Sequence, residues 1–260
     1  MKVTLFTSNK FRHNYLINLL SNICDQLYVV QECETIFPGI VPGRYQHSDI
    51  MKEYFYKVNT AQTKIFGSPY INQFNKNIKL ITMNMGDLNL CSLSFLKNFL
   101  ESDYFIVYGS SYIKSDLIDF LIEKKAVNIH MGISPYYRGN DCNFWALYDG
   151  NPHLVGSTIH YITKGLDNGP IIYHALSKKF ENPFIYTMSS VNSAFISLAN
   201  KIKNNTLFDI RPIKQDKNKQ VRYSKNEFNE DYVKEFNNKK NILSNIDFNL
   251  NQLINPFFLD

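Results

Sequence analysis

The stretch Val127–His130 carries two polar side chains within an otherwise apolar run. Asn128 and His130 are two residues apart, so in a β-strand their side chains share one face, opposite Val127 and Ile129. A loop containing glycine, serine and proline follows at once. An asparagine amide can donate a hydrogen bond, and a histidine near neutral pH can donate one or shuttle a proton. The pair could therefore do polar chemistry where a strand ends.

A histidine that works in its charged form needs a carboxylate to orient it or to hold its proton. Asp167, in the turn-rich sequence GLDNGP, is the candidate. Each of these residues also has an ordinary structural interpretation. A histidine at a strand end is often simply packed, an asparagine often caps a turn, and an aspartate before Asn168 and Gly169 is a common turn residue. Residue types and spacing alone thus indicate only a polar site at a sheet edge.

The elements that must position these side chains alternate between strands and helices. The apolar patterns predict strands at Lys2–Thr7, Gln26–Val30, Ile78–Met83, Tyr104–Tyr108 and Val127–His130, and helices at Asn14–Ile23, Ile50–Phe66, Leu93–Leu100 and Asp116–Lys124. This order predicts an α/β fold with an open, mostly parallel, Rossmann-like sheet and helices on both faces. Ligands of such sheets bind beyond the carboxyl ends of the strands, which is where Asn128 and His130 are expected.

The pattern changes after residue 140. We predict a helix at Asn143–Tyr148, strands at Ser157–Ile162 and Ile171–Leu176, and a long helix at Ile185–Lys203. From Leu207 onwards the chain is polar, with a strand-like QVRYS and a helix-like NEDYVKEF. We therefore expect a main domain over residues 1–205 and a short C-terminal extension, or appendage, over residues 206–260.

Composition excludes several classes of function. The chain has 260 residues, 44% of them hydrophobic, which suffices for one domain with its own core. A net charge of +5 without a long basic run argues against a nucleic-acid partner. No apolar stretch reaches the length of a membrane span and the N-terminus does not look like a signal peptide, so we expect a cytoplasmic protein. The four cysteines form no CxxC pair or zinc spacing, and we expect free thiols and no metal.

The stretch NIHMGISPYYRG, followed by GLDNGPII, resembles the formyltransferases that use N10-formyltetrahydrofolate. That family includes methionyl-tRNA, glycinamide ribonucleotide and sugar N-formyltransferases. Its pattern is matched here at Asn128, His130, Ser134, Pro135, Arg138, Gly139, Leu166, Asp167 and Gly169. The segment DYFIVYGSSYIKSDLI also resembles the strand and cofactor-binding loop of the family, and the likeness covers roughly residues 78–203. The family often has a Ser/Leu/Leu/Pro loop after the histidine, whereas this chain has Met131–Pro135, and this departure leaves the acceptor open.

The resemblance implies a mechanism and a binding site. An acceptor amine would attack the formyl carbon, Asn128 and a protonated His130 would donate hydrogen bonds to the developing oxyanion, and Asp167 would keep His130 charged and relay the proton of the amine. The folate is expected between two loops, formed by Ser111, Tyr112 and Ile113 and by Thr163, Lys164, Gly165, Leu166 and Asp167. Cys142 is not expected to be a nucleophile, because no activating base is evident.

The acceptor is the least defined part of this interpretation. Only about 50 residues follow the main domain, which argues against a tRNA substrate, and TSNKFRHN lacks the glycines of a glycinamide ribonucleotide phosphate loop. A sugar N-formyltransferase acting on a nucleotide-linked amino sugar, as in lipopolysaccharide or O-antigen biosynthesis, fits best. Its substrate would contact Tyr136, Tyr137, Arg138, Asn140, Asp141 and Trp145, unless these aromatic residues are core, and Arg222 and Tyr223 could meet the nucleotide.

Other functions remain open at this point. They are a glycinamide ribonucleotide or other small-amine formyltransferase, a formyltetrahydrofolate hydrolase, and a non-catalytic protein that binds folate or a nucleotide sugar on the same fold. A homodimer is also compatible with the sequence.

Overall fold

The computed structural model describes residues 1–34, 48–71, 75–225, 227–244 and 246–260. The proline- and glycine-rich sequence FPGIVPGRYQ lies outside them. The strands are β1 (Lys2–Ser8), β2 (Gln26–Cys33), β3 (Ile78–Asn84), β4 (Tyr104–Tyr108), β5 (Val127–His130), β6 (Tyr137–Gly139), β7 (Ser157–Tyr161), β8 (Ile171–Ser177), β9 (Arg222–Ser224) and β10 (Phe257–Leu259). The α-helices are α1 (Phe11–Ser21), α2 (Asp49–Phe66), α3 (Ser115–Glu123), α4 (Cys142–Tyr148), α5 (Pro183–Lys203) and α6 (Glu230–Asn238).

Eight strands form one open sheet in the order β10-β8-β7-β5-β4-β1-β2-β3. The strands from β1 to β5 pair in parallel. β7 runs antiparallel to both of its neighbours, β5 and β8. The predicted Rossmann-like, mostly parallel sheet is therefore confirmed, and its polarity brings the carboxyl ends of β1, β2, β4 and β5 to the same edge.

Helices cover both faces of the sheet, as the sequence predicted. Alternate strand residues such as Leu5 and Ile106 pack in a core with α1, α2 and α5. Phe6 and Val107, one position further along their strands, pack on the opposite face with α3. This alternation follows from the two-residue period of a strand, and it places Val127 and Ile129 in the first core.

One predicted helix is wrong. The segment Leu93–Leu100 forms turns and a short 3-10 helix at Lys97–Phe99 instead of an α-helix. The hydroxyls of Ser92 and Ser94 contact each other at 2.8 Å, and Ser92 Oγ accepts the backbone N–H of Phe95 at 3.1 Å. Serine side chains that bind nearby backbone groups favour turns over continuous helix.

The C-terminal extension contacts the rest of the fold at two places. β9 pairs in parallel with β6, the loop strand that follows the polar site. β10 pairs with β8 at the edge of the main sheet, a strand that the sequence pattern did not predict. The boundary at residue 205 remains a proposal, since the extension shares strands with the main domain. No helix in the described part of the chain is long and apolar enough to cross a membrane.

Candidate active site

Asn128, His130 and Asp167 lie together, as the sequence predicted. His130 Nδ1 is 3.3 Å from Asp167 Oδ2, and Asn128 Nδ2 donates to Asp167 Oδ1 at 3.3 Å. The carboxylate is nearly buried, with 10% of its side chain exposed. Asp167 lies in the loop between β7 and β8, where it adopts a left-handed φ of 47°. Asp167 is thus both a turn residue and a partner of His130.

Two glycines allow this loop and the one after β5 to approach other backbone closely. A Cβ on Gly169 would lie 1.7 Å from the carbonyl oxygen of Tyr161, and a Cβ on Gly139 would lie 1.9 Å from that of Ser224. Gly139 also has a φ of +90°, which side chains rarely adopt. Its N–H donates to Asp167 Oδ2 at 3.3 Å. Both glycines therefore have a steric reason to be glycine, and Gly139 binds the carboxylate directly.

A second histidine, which the sequence analysis did not single out, completes the group. His160 lies on β7 directly opposite Asn128 in the antiparallel register. Its Nδ1 contacts the carbonyl oxygen of Tyr161 at 2.8 Å, so Nδ1 carries the proton and donates. Its Nε2 then accepts from Asn128 Nδ2 at 3.1 Å. The only signal in the sequence was a polar residue within the strand pattern STIHYI, because the register that pairs it with Asn128 is not readable from one sequence.

The two ionisable groups have opposed electrostatic surroundings. Burial lowers the pKa of His130, and the nearby charge of Asp167 offsets this only in part. Burial raises the pKa of Asp167, but His130, His160 and the Gly139 N–H outweigh it, and the pKa falls to about 2. Asp167 is therefore ionised near neutral pH. The expectation that it holds His130 charged is met only in direction, because the burial of the ring has the larger effect.

The hydrogen atoms of Asn128 and His130 have protein partners in this structure. Asn128 Nδ2 donates to both Asp167 and His160, and rotating the amide would place its oxygen against the carboxylate. His130 Nε2 donates to the carbonyl oxygen of Tyr137 at 3.1 Å. A substrate oxygen can take these donors only by lengthening one of the present hydrogen bonds.

These side chains open into a large cavity of about 1770 Å³. The predicted folate-binding residues line it at Ser111, Tyr112, Ile113, Thr163, Gly165, Leu166 and Asp167. Apolar side chains of Val107, Ile118 and Ile162 line it as well. Two peptide loops with apolar walls suit a flat heteroaromatic ring held by backbone groups. This part of the cavity therefore fits the pterin of a folate.

Lys164 is the exception among the predicted folate residues. It is absent from the lining of the large cavity, and its ammonium pairs with Asp119 at 2.7 Å. Its carbonyl oxygen accepts a hydrogen bond from the hydroxyl of Tyr112, so the two loops are joined across the opening. Lys164 thus takes part through its backbone.

Three of the six predicted acceptor residues are buried side chains away from the cavity lining. Tyr136, Tyr137 and Trp145 are 6%, 1% and 0% exposed and do not line the cavity. Trp145 packs at 4.3 Å beneath the guanidinium of Arg222, which in turn binds Asp149 at 2.8 Å. The alternative interpretation, that these aromatic residues are core, is the one the structure supports. The same contacts keep Arg222 away from the cavity.

The remaining acceptor predictions have mixed outcomes. Asn140 and Asp141 line the cavity. Arg138 does not line it, and its guanidinium donates to the carbonyl oxygen of Leu166 at 2.7 Å. Tyr223, which the sequence suggested only in passing, does line it, with Arg138 at 5.3 Å and Lys225 at 5.5 Å from its ring.

The rest of the cavity lining differs in chemistry from the two folate loops. Aromatic rings line the cavity at Tyr54, Phe55, Tyr56, Phe144, Tyr223 and Phe236, and basic side chains line it at Lys10, Arg12, Lys52 and Lys225. Of these aromatic residues, Phe144 is the neighbour of Trp145 on α4. One residue along a helix turns the side chain by about 100°, so Phe144 reaches the cavity where Trp145 does not.

Cys142 also lines the cavity, but it is not placed to act as a nucleophile. Burial raises the pKa of its thiol well above the ordinary value, and the nearby carboxylates of Asp167 and Asp141 raise it further. The sulfur is 3.3 Å from the carbonyl oxygen of Gly139. A reactive cysteine needs the thiolate, which these surroundings disfavour.

Comparisons with known proteins find a family match in the middle of the chain. Residues 99–203 match a family model described as formyl transferase. The formyltetrahydrofolate deformylase 2 of Arabidopsis thaliana mitochondria is 41% identical over 49 residues, which are 19% of this chain and 15% of that protein. The matched segments span only 15% and 31% of the first two curated relatives.

Solved structures share the fold over most of the chain. A phosphoribosylglycinamide formyltransferase from Anaplasma phagocytophilum is 16% identical with a TM-score of 0.54, covering 88% of this chain and 96% of its own. A sugar N-formyltransferase from Shewanella sp. FDAARGOS_354 is 16% identical with a TM-score of 0.54, covering 100% of this chain and 93% of its own. At this identity the likeness concerns the fold alone.

Proposed function

We propose, from the match of residues 99–203 to the formyl transferase family model, that the chain transfers a formyl group from N10-formyltetrahydrofolate to the primary amine of a nucleotide-linked amino sugar. The observation that carries the proposal is the convergence of Asn128, His130 and Asp167 at one wall of the cavity, within 3.3 Å of one another through the Asp167 carboxylate. The folate supplies an activated formyl group on N10. Every other step falls to the side chains of this site.

The chemistry required is polarisation of the formyl carbonyl while an amine adds to it. Negative charge develops on the formyl oxygen, and Asn128 and His130 are the donors at the cavity wall. One preorganised donor of this kind lowers the activation free energy by roughly 3 to 4 kcal/mol. The amine loses one proton and N10 gains one, so the overall reaction needs no net acid or base. It also needs no covalent enzyme intermediate, in keeping with the unreactive surroundings of Cys142.

Asp167 has a narrower role than the resemblance suggested. A carboxylate with a pKa of about 2 is too weak a base to take the proton of an amine. We assign it to orienting His130 and stabilising the charged form of the ring. Its second oxygen holds the amide of Asn128, so the same carboxylate positions both donors.

The acceptor assignment is supported by the lining of the cavity beyond the triad. Its aromatic rings provide flat faces for a sugar or a nucleobase, and its basic side chains favour a diphosphate. A cavity of about 1770 Å³ also has room for two substrates at once. A folate-only enzyme would not need these aromatic and basic side chains.

The proposal is tested by incubating the protein with N10-formyltetrahydrofolate and dTDP-, UDP- or GDP-linked amino sugars. We expect tetrahydrofolate to appear only with one of these acceptors, together with a product heavier by one formyl group. The His130→Asn variant serves as the inactive control, with kcat/KM reduced by more than about tenfold. Release of tetrahydrofolate without any acceptor would indicate a hydrolase. Faster turnover of glycinamide ribonucleotide than of every amino sugar would replace the sugar assignment.

A further inference from the structure

Glu32 is a carboxylate buried beside the folate loops of the cavity. It lies near the end of β2 and is 0% exposed. No described residue forms an ion pair with it. Its carboxylate is instead surrounded by donors from two loops: Gly86 N–H at 2.8 Å and Leu88 N–H at 3.4 Å after β3, and the Ser111 N–H at 2.6 Å and hydroxyl at 2.8 Å after β4.

These four hydrogen bonds require acceptors on both carboxylate oxygens. Oε1 accepts from Gly86, Leu88 and the Ser111 hydroxyl, and Oε2 accepts from the Ser111 N–H. A glutamine offers one acceptor oxygen and one donor amide. In either orientation of that amide, its NH2 group points at a backbone N–H, either that of Gly86 or that of Ser111, and neither can accept a hydrogen bond. Replacing Glu32 by Gln therefore keeps the shape of the side chain but leaves only one of its two acceptor oxygens.

The loop that Glu32 holds is the folate-binding loop of the proposed function. Ser111, Tyr112 and Ile113 line the cavity, and the side chain of Asn89 binds the same loop. Asn89 Nδ2 donates to the Ser111 hydroxyl at 3.3 Å and to the Tyr112 carbonyl at 3.1 Å, and its Oδ1 accepts the Lys114 N–H at 2.7 Å. Asn89 itself does not line the cavity. The side chains of Glu32 and Asn89 thus both hold the loop by hydrogen bonds.

We propose that Glu32 is a positioning residue that sets the folate-binding loop Ser111–Ile113 and thereby the affinity for the formyl donor. This inference rests on the proposed function. Glu32 touches neither the triad nor the aromatic side chains of the cavity lining, so its effect is confined to one of the two substrates. A residue needed only for general stability would not discriminate between them.

The test is the Glu32→Gln variant, measured by calorimetric titration with tetrahydrofolate and by steady-state kinetics. We expect Kd for tetrahydrofolate and KM for the formyl donor to rise by about tenfold or more. KM for the amino-sugar nucleotide and kcat at saturating folate should change by less than about twofold. Glu181→Gln is the matched control, because Glu181 is exposed, pairs with Lys64 and lies outside the cavity.

A second variant covers the case in which Glu32→Gln does not fold. Asn89→Ala releases the same loop without disturbing a buried carboxylate, and we expect a rise in Kd for tetrahydrofolate of about threefold or more. A wild-type protein that binds no tetrahydrofolate overturns the proposed function together with this inference. Wild-type binding with equal affinity in the folded variants, or an equal rise in both KM values, overturns the inference alone.

Discussion

His130 lies between two acceptors, and this arrangement determines what its ring can do. Nε2 donates to the Tyr137 carbonyl, so a neutral ring presents an unprotonated Nδ1 to the carboxylate of Asp167. Adding the second proton turns that contact into a charge-assisted hydrogen bond. Burial opposes the added charge, and the pKa of His130 is lowered overall. The protonation of the ring is therefore set by the balance between burial and the charge of Asp167.

Replacing Asp167 by Asn should shift the pH dependence of the reaction. Asp167 raises the pKa of His130 against the effect of burial, so removing its charge lowers that pKa further. If the protonated ring is the active form, activity is lost as pH rises through this pKa. The variant should lose activity at a lower pH than the wild type, and its deficit should be greatest at alkaline pH. Profiles of kcat/KM against pH measure this, and an alkaline limb that does not move would contradict the role given to Asp167.

At the scale of elements, the two-residue period of a strand predicted the pairing of Asn128 with His130. The position of His160 depended instead on the register between two strands. Asn128 and His130 share a face because they are two apart, which needs only the sequence. His160 faces Asn128 because β7 returns antiparallel beside β5, and that pairing depends on the whole sheet. Trp145 was misassigned for a related reason, since the pattern NFWALY predicts a helix without saying which face meets the cavity. Asp167 was a candidate from its residue type and its loop, but its spacing alone equally suits a turn, and the family resemblance was needed to favour a role at the site.

Gly132, in the loop after β5, sets how closely that loop approaches the ring of His130. A Cβ at this position would lie 2.7 Å from His130 Nε2 and 2.5 Å from the Cβ of Cys142. Gly132→Ala should therefore displace His130 and reduce kcat by about tenfold or more, with tetrahydrofolate affinity retained. Gly150→Ala is the control, because no atom lies within 4 Å of its added Cβ. It should cost stability through its φ of +76° and leave kcat unchanged. Equal kcat values for the two variants would contradict this account.

Tyr223 lies on β9, which pairs with β6, and it brings the C-terminal extension to the cavity lining. Removing its ring in Tyr223→Ala should raise KM for the amino-sugar nucleotide by about fivefold or more, since stacking on an aromatic face contributes roughly 1 kcal/mol. KM for the formyl donor should stay within about twofold. Val221→Ala is the control, because Val221 is a neighbouring exposed residue that does not line the cavity. A rise confined to the formyl donor would place Tyr223 on the folate side.

At the scale of the whole molecule, one buried histidine joins the loop after β5 to the C-terminal segment. His174 on β8 is 0% exposed. Its Nε2 donates to the carbonyl oxygen of Ser134 at 2.9 Å, and its Nδ1 accepts the N–H of Ile254 at 3.0 Å. Only the neutral ring can make both bonds. The extension is therefore fastened to the loop that carries the site, a connection that the polar composition of residues 206–260 did not reveal.

This connection predicts an acid-sensitive fold. Burial lowers the pKa of His174 to about 4, from an unfolded value near 6.5. A histidine with a depressed pKa in the folded state contributes stability that is fully present above the unfolded pKa and lost as pH falls towards the folded one. Between pH 6.5 and 4, His174 should remove up to about 1.4 kcal/mol of the free energy of unfolding per pH unit. Burial also lowers the pKa of His13, His130 and His153, and these contribute to the same slope.

A comparison of variants isolates the contribution of His174 to the fall in the free energy of unfolding at acid pH. His174→Gln should be less stable than the wild type at pH 7, because the two hydrogen bonds are lost, and its free energy of unfolding should fall less between pH 7 and pH 5, by about 1 to 2 kcal/mol. His153→Gln is the matched control, since His153 is only half-buried and makes neither of these contacts. Urea unfolding at the two pH values measures the slopes. If His174→Gln kept the full wild-type slope, His174 would not be the group that couples acid to the docking of the C-terminal segment.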